Sequence, residues 1–186
     1  MLTIPGAIFF ITLAFVRMRT AQDELNVIAL LLAIQAGLAA FWLIFRKSAV
    51  HEAPWHVQAI AWLSALLPLA VRVEPQATWW LDLAPAPGLV LNLWALVVLG
   101  SSFSVAPADR GLAFSGPYRH LRHPMYAGEL ASLFPALMTT FSVWNLLVIG
   151  LFATSLLWRI RYEEKVLSGY YLYAQFVRWK LLPGVW

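Results

Sequence analysis

The chain has 186 residues, of which 61% are hydrophobic, and its mean hydropathy of +0.72 lies well outside the range of a soluble globular domain. It has no cysteine, which excludes disulfides, thiolate metal sites and cysteine nucleophiles, and its net charge of +4 is dispersed rather than gathered on one face. Nucleic acid is therefore not an expected partner. The composition predicts one integral membrane domain: an all-α, polytopic helix bundle of five to six transmembrane segments.

Residues 1–16 are apolar, but Arg17 and Arg19 follow the run instead of preceding it. That order is wrong for a secretory signal, so the segment reads as a short first span or an interfacial helix. Residues 25–45 form an uninterrupted apolar run of roughly the 20 residues a span needs, closed by Arg46 and Lys47. Residues 54–71 come next, with Pro54 suited to a first helical position, Trp55 to the headgroup level and Pro68 to a kink. Residues 72–87, with Glu74, Pro75, Trp79, Trp80, Asp82 and Pro85, read as a loop with an aromatic belt. Residues 87–105 are a further span, closed by Pro107, Asp109 and Arg110. Inside the spans, Asn92 and Gln35 are placed for interhelical hydrogen bonds.

Residues 126–140 and 143–158 are each short for a crossing, and Ser142, Trp144 and Asn145 mark a tight turn between them. The pair reads as a helical hairpin that enters the membrane and returns. From Arg161 to Lys180 aromatic and charged residues alternate, which predicts a C-terminal amphipathic helix on the surface. With six segments, ten of the 13 Lys and Arg fall on one side: Arg46 and Lys47, then Arg110, Arg119 and Arg122, then the five from Arg159 to Lys180. The positive-inside rule puts that side in the cytoplasm, most simply at the inner membrane of a prokaryote.

Two polar clusters face that side. The first is Gly116-Pro117-Tyr118-Arg119-His120-Leu121-Arg122-His123-Pro124-Met125-Tyr126-Ala127-Gly128, and the second is Arg159-Ile160-Arg161-Tyr162-Glu163-Glu164-Lys165. Charge beside hydrocarbon is costly, so such clusters mark a functional site by default, and the hairpin brings them to one membrane face as halves of one site. Arg122 and His123 offer donors to a carboxylate or phosphate, Glu163 or Glu164 accepts from an ammonium, and Tyr118 and Tyr126 supply hydroxyls and π faces. A small zwitterion with a cationic centre and an aromatic base suits that set, and S-adenosylmethionine is such a molecule.

Plainer readings exist for each feature. Arg and His after a span are ordinary positive-inside residues, and Arg159 with Glu163 is an i, i+4 helix pair. Successive glutamates point about 100° apart on a helix, so one at most faces a ligand and the other pairs with an arginine. His120 and His123 lack a nearby third ligand, and Pro124 is expected to break the local helix; no metal is predicted. His51 and His56 read as interfacial polar residues.

The string Gly116-Pro117-Tyr118 with Arg122-His123-Pro124-Met125-Tyr126-Ala127-Gly128, followed by an apolar hairpin and Glu163-Glu164 with Leu167, resembles the signature of the isoprenylcysteine carboxyl methyltransferase family. Phosphatidylethanolamine N-methyltransferases share that general plan. The resemblance covers roughly the last 85 residues, so residues 1–106 are upstream spans and residues 107–186 a cofactor-binding half. It implies S-adenosylmethionine as cofactor, with Tyr118, His123, Pro124, Tyr126, Glu163 and Glu164 as its binding residues, and a lateral opening for a lipid-soluble acceptor among the membrane lipids. Arg122 and Glu163 are the candidate catalytic residues, Arg122 to orient an acidic headgroup or carboxylate and Glu163 as the base that an amine acceptor needs. The tail departs from the family pattern: Gly169, Tyr170, Tyr171 and Tyr173 come early after the glutamates, and Pro183 about one turn early. Sterol reductases of similar plan carry a related Arg-His-Pro segment, which leaves an NADPH-dependent membrane reductase as the rival, with a non-catalytic membrane protein third. The double glutamate speaks against a phosphate-rich nicotinamide cofactor. Neither the acceptor nor the oligomeric state can be read from the residues.

Overall fold

The computed structural model describes residues 3–74 and 79–186. It is an all-α membrane helix bundle in which three helices, α1 (Thr3–Glu24), α2 (Val27–Ile44) and α7 (Val143–Val166), are long and apolar enough to cross a bilayer. Shorter apolar helices complete it: α3 (Trp55–Ser64), α5 (Ala86–Leu99) and α6 (Pro124–Thr139). The small pieces are α4 (Trp79–Asp82), α8 (Tyr170–Phe176) and a two-residue antiparallel ribbon of β1 (His51–Glu52) and β2 (Ala108–Asp109). Helices α1, α2, α5, α6 and α7 pack in that order, with α3 also against α7.

Arg17 and Arg19 do not end the first helix. It runs on through both of them to Glu24, and the Arg19 guanidinium lies 4.9 Å from the Phe15 ring centroid. Long basic side chains reach the interface without breaking the helix that carries them, so the segment is a 22-residue helix and not a 16-residue one. After exposed Leu25, the Asn26 side chain caps α2 by accepting from Ala29 N at 3.0 Å. The buried residues of α2 are Ala29, Ala33, Ala36, Ala39, Ala40 and Leu43, a nearly all-alanine face that admits its neighbours closely. Gln35 is half-buried.

Pro68 ends its helix instead of kinking it. Helix α3 stops at Ser64 and a 3₁₀ turn, Leu67–Ala70, takes over. Proline has no N–H and its ring clashes with the carbonyl four residues back, which here belongs to Ser64. Pro54 is the N-cap of α3, one place before the expected first helical position. Of the expected aromatic loop over residues 72–87, Pro75 and the side chains of Trp79 and Trp80 lie outside the described residues. Helix α5 starts at Ala86 and ends at Gly100, whose φ of 55° leaves the right-handed helix, so residues 100–105 are not part of the span.

Pro124 begins α6 as its first residue, with His123 at the N-cap; its missing N–H falls where a helix has no acceptor to offer. The hairpin turn forms where expected. Ser142 caps α7 through Asn145 N, and the fully buried Asn145 side chain exchanges bonds with Arg72 N and O (2.9 and 2.8 Å) and donates to Thr140 O at 2.8 Å. Helix α7 does not stop at Trp158 but continues through both glutamates for 24 residues, about 36 Å at 1.5 Å per residue. Arg159 permits this because its Nη2 donates to Val105 O at 2.6 Å and its guanidinium lies 4.9 Å from the Tyr126 ring centroid. The C-terminal amphipathic helix is the seven-residue α8, with Tyr170 and Tyr173 buried and Tyr171, Leu172 and Phe176 exposed, and the rest of the tail is irregular.

The ends of the bundle sort as the charge count suggests. Lys47 N bonds Ser101 O, β1 pairs β2, and Asp109 accepts from Ser168 N, which gathers the loops after α2 and α5 with the end of α7. Arg46 also donates to Thr3 Oγ1, while Arg72 meets the hairpin turn at the far end.

Helices α5 and α6 approach most closely at Gly88 and Gly128. A Cβ built on Gly128 would lie 2.6 Å from Asn92 N and 2.7 Å from Gly88 O, both backbone atoms. At the same level Asn92 Nδ2 donates to Met125 O at 3.0 Å, one of the two interhelical bonds expected from the sequence. Gly128→Ala must therefore push two backbones apart and should cost about 1–3 kcal/mol, read as a lower thermal midpoint in detergent; an unchanged midpoint would disprove the close packing.

Candidate active site

The site forms where α6 begins and α7 ends. His123 is 5% exposed, and its ring lies between the two glutamates: Nδ1 is 3.6 Å from Glu163 Oε2 and Nε2 is 3.5 Å from Glu164 Oε1. Both contacts have ion-pair reach without hydrogen-bond geometry, and Nε2 is left buried with no hydrogen-bond partner. Burial alone would lower the His123 pKa, but the two carboxylates outweigh it and hold the imidazole above its ordinary value. The ring stacks on Tyr126 (centroids 5.9 Å apart) and on Tyr170 (6.4 Å).

The two glutamates have different partners. Glu164 is tied to the tail: Lys180 Nζ reaches its two oxygens at 2.8 and 2.9 Å, and the Tyr170 hydroxyl donates to it at 2.7 Å. The expected arginine partner is thus a lysine 16 residues on. Glu163 accepts from the Tyr126 hydroxyl and faces a cleft. That cleft encloses about 670 Å³ of empty space, part of it open to solvent. Tyr118, Arg122, His123, Tyr126, Glu163 and Tyr170 line it on one side; the other wall comes from residues 99–113, which straddle the division expected at 106. Glu164 and Pro124 are not among the lining residues.

The tail holds the site shut from below. Arg122 and His123 donate their backbone N–H to Trp179 O (2.8 Å) and Lys180 O (3.0 Å). The Arg122 side chain gives Nε to Val177 O at 2.6 Å and Nη2 to Ala174 O at 2.9 Å, so it caps the last carbonyls of α8 while its guanidinium lies 5.9 Å from the Tyr170 ring centroid. Tyr173 donates to Tyr118 O at 2.7 Å. Gly169, with φ of 75°, makes the turn from α7 into α8 that delivers both tyrosines. Burial pushes the Tyr173 phenol up to about 12, and raises Tyr118 and Tyr170 as well, so all three remain neutral donors.

His120 and Arg119 are exposed, as are His51 and His56, and none of these joins the site. Among the described residues no group of three or more His, Asp or Glu could hold a metal. Two participants, Lys180 and Glu129, escaped sequence reasoning. Lys180 gave no local signal. Glu129, three residues after Tyr126, and Asn92 form a polar layer with Arg159 behind the cleft, where Glu129 Oε2, Asn92 Oδ1 and Arg159 Nε are buried without hydrogen-bond partners. A glutamate one helical turn from Tyr126 on the same helix face was the available sign.

The helix bundle, together with a family match, supports a membrane methyltransferase. Residues 83–173 match the model of the phospholipid methyltransferase family, a span that runs from just before α5 to Tyr173 in α8 and contains both polar clusters. No curated protein and no solved structure matches the chain.

The His123 shift carries a sign that can be tested. A histidine whose folded-state pKa is raised stabilises the fold fully below its unfolded value of 6.5, and that stabilisation fades as pH rises through the folded-state pKa. The stability gap between wild type and His123→Gln should therefore be largest below pH 6.5 and shrink on the alkaline side. Thermal melts across that range decide it, and a gap independent of pH refutes the protonated clamp.

Proposed function

We propose that the chain is an S-adenosylmethionine-dependent methyltransferase whose acceptor is a lipid-like molecule, with the cleft facing the cytoplasm of a prokaryotic inner membrane. The observation that carries this reading is the convergence on one cleft of the Glu163 carboxylate with the rings of Tyr118, Tyr126, Tyr170 and His123. The donor set fits the cofactor: a carboxylate accepts from an ammonium, and π faces hold a cation.

Bound in the cleft, the cofactor would supply an electrophilic methyl group on a sulfonium. The residues of the chain do the rest. Glu163 and Tyr126 take the charged amino-acid end, His123 holds Glu163 in register with α6, and Glu164 with Lys180 fixes His123 from behind. Arg122, with Nε and Nη2 already on tail carbonyls, acts as a positioning residue for the floor of the cleft. Apolar Leu99, Met125 and Leu167 in the lining keep water from the nucleophile. A carboxylate acceptor, as in the isoprenylcysteine enzymes that the motif resembles, needs no base; for an amine acceptor Glu163 is the nearest carboxylate.

Calorimetric titration of the purified chain with S-adenosylmethionine, its demethylated product and NADPH tests this. The sulfonium and its product should bind with Kd on the order of micromolar, and Glu163→Gln should weaken both by about tenfold, or 1.4 kcal/mol. Binding of NADPH alone would move the chain to the reductases, and silence from all three would leave a charged membrane edge.

A further inference from the structure

A second cavity lies across residues 104–108 from the cleft, and Ser104, Ala106 and Ala108 line both. It encloses about 340 Å³ of empty space, part of it open to solvent, between the loop after α2, the start of α3 and the segment around β2. Its polar walls are Arg46, Glu52, Gln58, Ser104 and Arg110, beside the indole of Trp62.

The charges in this cavity do not balance. The Arg110 side chain is only 4% exposed; Nη1 donates to Lys47 O and Nη2 meets Glu52 Oε1 at 3.2 Å, but Nε is buried with no partner. Arg46, half-buried, donates to Thr3 Oγ1. Burial first, and then the nearby Arg46 charge, pull the Arg110 pKa below its ordinary value. Glu52, the one carboxylate among the lining residues, is 47% exposed and shared with Gln58 Nε2 at 3.4 Å. Two guanidinium groups against one half-solvated carboxylate leave the cavity with one unmatched positive charge.

We infer that this cavity binds the phosphate-ester group of a membrane amphiphile. A phosphodiester carries the single negative charge that is missing, and its tetrahedral oxygens suit the planar donor forks of two arginines. Arg46 closes a membrane-spanning helix, so the cavity sits at the bilayer edge where headgroups lie. The inference stands on this geometry and does not depend on methyl transfer in the cleft.

The test uses the full chain in a non-ionic detergent, titrated with phosphatidylglycerol, with diacylglycerol of the same acyl chains and with inorganic phosphate. Binding is read by native mass spectrometry and by the thermal midpoint. Phosphatidylglycerol should bind and raise the midpoint where diacylglycerol does not. Arg46→Gln should weaken its binding about tenfold, the scale of one charge-assisted hydrogen bond, and Glu52→Gln should tighten it. Opposite shifts in two neighbouring variants cannot come from misfolding. Lys47→Gln, exposed and outside the cavity, should leave binding unchanged. Equal binding of the two lipids, or equal losses in Lys47→Gln and Arg46→Gln, overturns the inference. Inorganic phosphate binding as tightly as the lipid would overturn the amphiphile and assign the cavity to a free anion.

Discussion

The contact on which the site depends is one imidazole held between two consecutive carboxylates. Side chains of adjacent helical residues diverge by about 100°, so Glu163 and Glu164 can share a partner only if it lies in the fork between them and has a donor on each side. His123 meets both conditions: it sits at the N-cap of α6, and its two ring nitrogens point to different glutamates. Only the protonated ring has two donors, which is why the carboxylates hold it charged against the cost of burial. The same arrangement decides which glutamate can meet a ligand. Lys180 and Tyr170 claim Glu164 from the tail side, and Glu163 is left with Tyr126 and the cleft.

Behind the clamp lies a second polar layer that the chain's low charge density makes conspicuous. Arg159 is buried on α7, lies over the ring of Tyr126, and shares its surroundings with Glu129 of α6 and Asn92 of α5. Breaking a buried pair by removing one partner typically costs about 3–5 kcal/mol, so such a layer fixes which faces of the three helices meet. It works with the Gly88–Gly128 approach, which brings α5 and α6 near enough for Asn92 to reach the Met125 carbonyl. Several polar atoms of the clamp and this layer lack hydrogen-bond partners. Unsatisfied buried groups are rare in folded proteins, and four of the six among the described residues lie in the clamp and this layer.

Much of this was legible in the residues. Hydropathy gave the bundle, Ser142 and Asn145 gave the hairpin turn, and the Arg-His-Pro-Met-Tyr string with the double glutamate gave the halves of the site. Several of the misreadings treated a local feature without the contacts or turns that place it. Arg159 looked like the end of a span because the Val105 carbonyl and the Tyr126 ring that accommodate it lie 54 and 33 residues away. Pro124 looked like a helix breaker because its place at the first helical position depends on where the preceding 3₁₀ turn ends. The tail's early tyrosines looked out of register, yet the Gly169 turn delivers Tyr170 and Tyr173 to the site. Lys180 was invisible because an ion pair spanning 16 residues leaves no periodicity to read.

The two cavities on either side of residues 104–108 differ in polarity, and that difference limits what each can hold. The cleft sets the Glu163 carboxylate beside charged His123, Arg122 and π faces, and the neighbouring cavity presents two guanidinium groups partly offset by one glutamate. A zwitterion is therefore suited to one side and an anion to the other, with Ser104, Ala106 and Ala108 as the common wall. Both cavities border the end of the bundle where α2 and α7 leave the apolar layer, so an amphiphile seated by its headgroup at Arg46 and Arg110 would lie beside the cleft with its chains still in the bilayer.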